Sequence, residues 1–234
     1  MPEGGRRIGR AMSAALAHGD PDAGLDLEGP SLANARRRQV FRYLCMRPCA
    51  RVGEIGRALV LSHATVRWHE RNLLETGYLE VDGALAFPSG LIDPADAELF
   101  HLLTTPARDA VLRACVDDPG VSFQEIGVRV GLTRQSASKI AAELSDAGLV
   151  ALVEDGRYRR MYPSDALEAK RERNRARIAA FVDRFLRRLA DDGLSPELLR
   201  RDEATLLVRL GAGPHWVVFD VPLDPYLTGW APPA

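Results

Sequence analysis

Residues 62–83 read SHATVRWHERNLLETGYLEVDG. Val66 and Leu73 fall on one side of a helix, Ser62 stands where a helix cap belongs, and Gly77 stands where a helix ends in left-handed backbone. The chain then runs straight into YLEVDGALAF, two apolar runs around Asp82-Gly83, which is a hairpin signal. A helix followed at once by a tight hairpin is either a packing helix or one built to lie in a groove of DNA. What surrounds the stretch decides between them.

The stretch is used twice. Shifted by 71 positions, residues 37–80 fall on 108–151 without a gap. Identities include Arg37/Arg108, Val40/Val111, Pro48/Pro119, Glu54/Glu125, Ile55/Ile126, Gly56/Gly127, Leu61/Leu132, Leu73/Leu144 and Gly77/Gly148. These are core, cap and turn positions, which a shared fold holds fixed.

Each copy predicts the same elements. Asn34 and Thr105 cap a first helix, with Pro106 at the first helical position of the second copy. Val40, Phe41 and Leu44, and then Val111, Leu112 and Cys115, are its apolar side, and Pro48 and Pro119 end it. A short second helix buries Val52, Ile55 and Leu59, or Phe123, Ile126 and Val130. A tight turn leads to Ser62 or Thr133, which cap a third helix ending at Gly77 or Gly148. The second hairpin turns at Asp155-Gly156.

Three helices with a helix-turn-helix, followed by a two-stranded wing, make a winged helix. The first copy resembles the archaeal winged helix-turn-helix regulators related to the ArsR and MarR groups. The matching pattern is Ser62, Thr65, Val66, His69, Leu73 and Gly77, with FPSG at 87–90 after the first wing. The second copy, GLTRQSASKIAAELSDAGLV, resembles the same element, so the resemblance covers about residues 34–163. It implies double-stranded DNA as partner, a homodimer, no cofactor for binding, and room for an unidentified small-molecule effector. Glu70 departs from it, since an apolar residue is usual there, and Ile140 replaces the histidine. Val60 stands where the second copy has Gly131. If that position takes positive φ, a β-branched residue is costly there, so the first turn is expected to differ by about a residue.

A helical wheel assigns candidate contacts. Opposite Val66 lie Ala64, Arg67, Trp68, Arg71 and Glu75. Arginine forks onto guanine edges or phosphates, and a capped helix start holds a phosphate. The expected DNA-binding residues of the first copy are Ser62, His63, Thr65, Arg67, Trp68 and Arg71. For the second they are Thr133, Arg134, Gln135, Ser138 and Lys139, with Arg157, Arg159 and Arg160 on its wing. The plain alternative is a solvated face with a packing aromatic. His69 borders the buried side and reads as a core histidine. Residues 31–80 carry nine arginines against four glutamates, whereas residues 94–163 carry eight basic and ten acidic residues. The first copy is thus expected to read mainly by its helix and the second to anchor by helix and wing.

Composition excludes other classes. The 234 residues are 46% hydrophobic with a formal net charge of −1, ordinary for a globular protein of two modest domains. All basic residues but Lys139 and Lys170 are arginines. No apolar run reaches the length of a membrane span, which with the three cysteines predicts a cytoplasmic protein. Cys45, Cys49 and Cys115 read as small buried hydrophobes, with metal or redox sensing as the alternative; His18, His101 and His215 make no ligand-spaced cluster. No P-loop, GxSxG or HExxH occurs, and RLGAGPHW between two strand-like runs reads as a hairpin turn, so no enzyme is expected.

Beyond the copies, Ile178, Phe181, Val182, Phe185, Leu186 and Leu189 form one apolar stripe on a long helix. The resemblance implies that a dimer partner covers it, which makes Ile178, Phe181, Val182, Phe185 and Leu189 candidate dimerisation residues; packing onto the chain's own domain is the alternative. SPELLRRD predicts a short helix capped by Ser195, and EATLLVRL with HWVVFDV a hairpin. The expected architecture is mainly α with small β wings. A flexible tail spans 1–30, winged domains 31–90 and 91–163, the long helix 164–193, and a small helix plus β-hairpin 194–234. The expected function is sequence-specific transcription regulation. The alternative is a tandem winged-helix interaction module, of the kind found in chromosome segregation or transcription machinery, that does not read DNA.

Overall fold

A computed structural model describes residues 32–156, 158–212 and 214–228. The tail expected over 1–30 lies outside the described residues, as do Arg157, Gly213 and Trp230. The fold combines helices with three small antiparallel sheets.

Helices α1 (Ala35–Met46), α2 (Val52–Leu59) and α3 (His63–Glu75) precede a hairpin of β1 (Leu79–Asp82) and β2 (Leu85–Pro88). After a 3-10 turn at Pro94–Asp96 and α4 (Ala97–Leu103), the order recurs. It runs through α5 (Pro106–Asp117), β3 (Val121–Ser122), α6 (Phe123–Val130), α7 (Arg134–Asp146), β4 (Val150–Asp155) and β5 (Tyr158–Pro163). The Asn34 side chain accepts from Arg37 N and that of Ser62 from Thr65 N, while Thr133 accepts from Ser136 N. Thr105 sits at its N-cap position without a side-chain bond to the helix backbone; its hydroxyl accepts from Arg108 instead. Ser122 and Glu125 close a capping box on α6.

The two helix-turn-helix turns share one backbone. Val60 adopts φ 55°, ψ 45° and Gly131 φ 68°, ψ 32°, so the first turn does not differ by a residue as expected. Valine accepts the left-handed conformation there because Leu61 N donates to Gly56 O, as Leu132 N does to Gly127 O, and closes the turn. One loop earlier the pattern repeats with Cys49 at φ 61° and Gly120 at φ 91°.

The long helix α8 (Ala166–Asp191) leads to a three-stranded sheet of β6 (Glu197–Arg201), β7 (Thr205–Ala212) and β8 (His215–Pro222), in the order β6-β7-β8, and then to α9 (Pro225–Thr228). Residues 197–201 form a strand, not the helix expected from Ser195 and Pro196. Pairing with β7, from Glu197 opposite Arg209 to Arg201 opposite Leu206, overrides the local capping signal. The expected hairpin is the β7–β8 part of this sheet.

The candidate dimerisation stripe also needs correction. Phe181, Val182, Phe185 and Leu189 are buried in the chain's own core, and Ile178 packs half-buried against it. The stripe is covered in cis because the C-terminal sheet returns to the first helices. Phe185 stacks on Phe41 at 5.4 Å between ring centroids, with Phe219 6.5 Å from Phe41. Leu206, Val208, Leu210, Val217 and Val221 fill the same core as Val40, Leu44, Val66 and Leu73. Polar ties reinforce it: the Arg42 guanidinium forks onto Asp220, with Nε 2.9 Å and a terminal nitrogen 2.7 Å from Oδ2, and Tyr78 donates to Asp192 at 2.7 Å. The second set of helices keeps a separate core of Val111, Leu112, Phe123, Ile126, Ala141, Leu144 and Met161.

Candidate nucleic-acid interface

The α3 face opposite Val66 and Leu73 emerges as the wheel placed it. Ala64, Arg67, Trp68, Arg71 and Glu75 are exposed, while Val66, His69 and Leu73 are buried. Arg67 and Arg71 make no ion pair among the described residues. Trp68 is 51% exposed but does not stand free. The Arg37 guanidinium carbon lies 5.2 Å from its ring centroid and the His69 ring meets it edge-on at 4.9 Å. It is a shelf held against α1 and beside the arginines, not a probe. His63 leans back on α2: a Cβ on Gly53 would lie 3.3 Å from its Nε2. The Ser62 and Thr65 hydroxyls bond each other at 2.7 Å, so both serve the cap first. What the helix start offers an anion is the outward N–H groups of its first turn.

The arginine surplus of the first copy is only partly surface. Arg37 and Arg38 are buried, and Arg38 donates to the Leu32 and Ala33 carbonyls at 3.0 and 2.8 Å. Arg42 is committed to Asp220, and Arg47 lies 3.1 Å from Glu54 and donates to Leu103 O. Arg36, Arg51, Arg57, Arg67 and Arg71 remain as exposed charge.

Two titratable groups flank this face. His69 is buried, and its pKa is pushed down to about 4 by desolvation, with the Arg37 and Arg36 charges adding. It is a neutral packing residue, as its place on the wheel implied. Glu70 is half-buried, and desolvation pushes its pKa up to about 7 against the opposing pull of Arg67. The carboxylate that departs from the resembling pattern therefore sits where its charge is costly.

On the second unit Thr133, Arg134, Gln135 and Lys139 are exposed and Ser138 is half-buried. The wing is less basic than its sequence. Arg159 Nε lies 3.4 Å from Glu154, and Arg160 Nε lies 2.6 Å from Asp155 while another of its nitrogens donates to Gly120 O. Arg160 thus ties the wing to the loop before β3. Between wing and α7 lies a cleft of about 340 Å³ lined by Gln124, Arg134, Ser138, Tyr158 and Arg159 among others. Gln124 and Tyr158, 58% exposed, were not singled out from the sequence. An aromatic flanking the Asp155-Gly156 turn was the available signal for Tyr158; nothing local marked Gln124.

The cysteines sit inside the fold. All three are buried and free, and burial pushes the thiol pKa up, to about 12 at Cys49 and about 11 at Cys115, the opposite of a reactive thiolate. No group of three or more potential metal ligands assembles among the described residues. No helix among them is long and apolar enough to cross a membrane.

Comparison with known proteins places the second unit. Residues 105–161 match the MarR family, whose members are transcriptional regulators and not enzymes. Two solved structures of the PcaV transcriptional regulator from Streptomyces coelicolor, one in complex with its natural ligand, share 34% identity with this chain. The ligand complex aligns over 38% of this chain and 65% of its own length; the other aligns over 39% and 68%; both have a TM-score of 0.27. The chain thus spans about two thirds of that regulator. The DIP2311 protein from Corynebacterium diphtheriae aligns at 13% identity over 56% of this chain and 27% of its own, with a TM-score of 0.24. No curated protein matches. The second unit is MarR-like on the strength of its sequence.

Proposed function

We propose, from a MarR-like second unit, that the chain is a DNA-binding transcription regulator with two winged domains in tandem. Domains at 31–90 and 91–163 would present α3 and α7 to successive stretches of major groove, with the α7-side wing reaching the backbone. The observation that carries this is the exposed Arg67–Arg71 pair on α3, one helical turn apart and without ion-pair partners among the described residues. Support for the tandem arrangement comes from the 71-residue offset, which relates Cys49 to Gly120 and Val60 to Gly131 in left-handed backbone as well as the matching residues.

In the second unit Arg134, Gln135 and Lys139 would make the helix contacts. Arg159 would reach phosphate only by exchanging Glu154 for it. A small-molecule effector has a cleft of about 520 Å³ to enter between α8 and the C-terminal sheet, lined by Arg171, Asn174, Ile178, Arg201 and Leu223 among others.

The test is salt-dependent DNA binding of Arg67→Glu/Arg71→Glu beside the parent chain. The logarithm of the binding constant falls against log salt with a slope of about −0.9 per neutralised phosphate, so removing cations that neutralise phosphates flattens the slope. Where an arginine reads a base edge instead, its removal costs about 1–3 kcal/mol of discrimination. Unchanged affinity and unchanged slope would remove α3 from the interface. Absence of salt-sensitive retention on heparin by the parent chain would favour the protein-interaction reading.

A further inference from the structure

We propose that the open edge of β6 is a two-fold interface joining two copies of this chain, a role the sequence assigned to the long helix. The inference deepens the regulator reading and rests on it only in that the resembling regulators imply a homodimer. The stripe on α8 is consumed in the core, so a dimer needs another surface.

β6 supplies one. All five of its residues are exposed, Leu198 by 49% and Leu199 by 44%, and β7 is its sole strand partner among the described residues. An edge strand with exposed leucines is a template for another strand unless something blocks it. Among the described residues no helix covers β6; its guards are Pro196 just before it, the register shift between Leu198 and Arg200, and charge, Glu197 at one end and Arg200 and Arg201 at the other.

That charge order turns the guard into a selector. Two copies of Glu197-Leu198-Leu199-Arg200-Arg201 paired antiparallel about Leu199 place Glu197 of each opposite Arg201 of the other and bring the two Leu199 together. Parallel pairing in register stacks like charges, so the sequence complements itself in one orientation. Arg201 makes no ion pair among the described residues, whereas Arg200 is bonded to Asp202 and Glu197 to Arg209. The register with β7 shifts between Leu198 and Arg200, so Leu199 has no register partner on β7.

The experiment measures the mass of the full chain in solution by light scattering over micromolar concentrations. The expected result is a species of twice the 25.7 kDa chain that Leu198→Lys/Leu199→Lys converts to a monomer that still unfolds cooperatively, its transition no longer dependent on concentration. Leu199→Cys should cross-link under a mild oxidant into a disulfide dimer on non-reducing gels, since the three native cysteines are buried. A monomeric parent chain, a dimer that survives the double lysine variant, or a dimer whose Leu199→Cys form does not cross-link would each overturn the proposal. Heparin retention is read on the same samples. Monomeric β6 variants should keep it, whereas a parent dimer without it would sink the regulator reading and leave the interface standing.

Discussion

Val60 holds a backbone conformation that β-branched residues avoid, and it does so 91% exposed, with no burial to compensate. Left-handed backbone costs a side chain of this kind about 1–2 kcal/mol. Val60→Gly should therefore stabilise the protein by about 1 kcal/mol, read as a higher urea midpoint at unchanged slope; a lower midpoint would mean that the valine makes a contact that outweighs its strain. Glu70 gives a second residue-scale prediction. Its folded pKa, about 7, lies above the ordinary 4.5, so ionisation penalises the folded state. Its effect on stability is absent below pH about 4.5, grows as pH rises, and is complete above about 7. His69, lowered to about 4 from 6.5, acts in the opposite sense: stability falls as pH drops through that window. The two slopes oppose each other between pH 4.5 and 6.5 in the parent chain. Glu70→Gln removes one of them, so it should be more stable than the parent at pH 8 by a margin that vanishes near pH 4. Equal stabilities at pH 8 would show that Glu70 is better solvated than its half-buried position implies.

At the scale of elements, α2 and α3 meet because Gly56 has no side chain. A Cβ there would lie 2.8 Å from the Leu61 carbonyl oxygen, and at Gly127 2.7 Å from that of Leu132. Both obstacles are backbone and cannot swing away. Gly56→Ala and Gly127→Ala should each cost about 1–3 kcal/mol, as overpacking does. Gly53→Ala is the control: it meets only the His63 ring at 3.3 Å, so it should be close to neutral or favourable as helix propensity improves. A neutral Gly56→Ala would contradict the described turn. These elements were legible in the sequence because caps, turn glycines and apolar spacing are local signals. Asn34, Ser62, Thr133, Gly77 and Gly148 act where they were expected. Residues 197–201 were misread because capping propensity is weaker than a ladder with β7, and that ladder is not a local property. The candidate contacts divide in the same way. The exposure of Arg67, Trp68 and Arg71 followed from helical phase. The pairing of Arg159 with Glu154 and the burial of Arg37 and Arg38 depend on neighbours that a charge count does not see.

Across the whole molecule there are two main cores. One joins α1–α3 to α8 and the C-terminal sheet, and the other belongs to the second unit. Phe185, stacked on Phe41, is central to the first. Phe185→Ala should cost about 3–5 kcal/mol in that core and leave amide protection around Ile126 unchanged, while Ile126→Ala should do the reverse. Loss of protection throughout after either change would show a single cooperative unit. The stripe on α8 was visible in the sequence as a face needing cover. What covers it was not, because β7 and β8 carry no local mark of their destination.

That architecture has a consequence for how the chain is made. The second unit's core is drawn mainly from residues 99–161, so it can close soon after its last strand is synthesised. The first unit, though earlier in the chain, must wait for Leu206 to Leu223 before Phe41 and Leu44 are fully covered. Translation thus inverts the order of completion. A nascent chain carries its first winged segment with an uncapped greasy flank for well over a hundred residues, and that interval is when a holding chaperone or a premature stop would matter most.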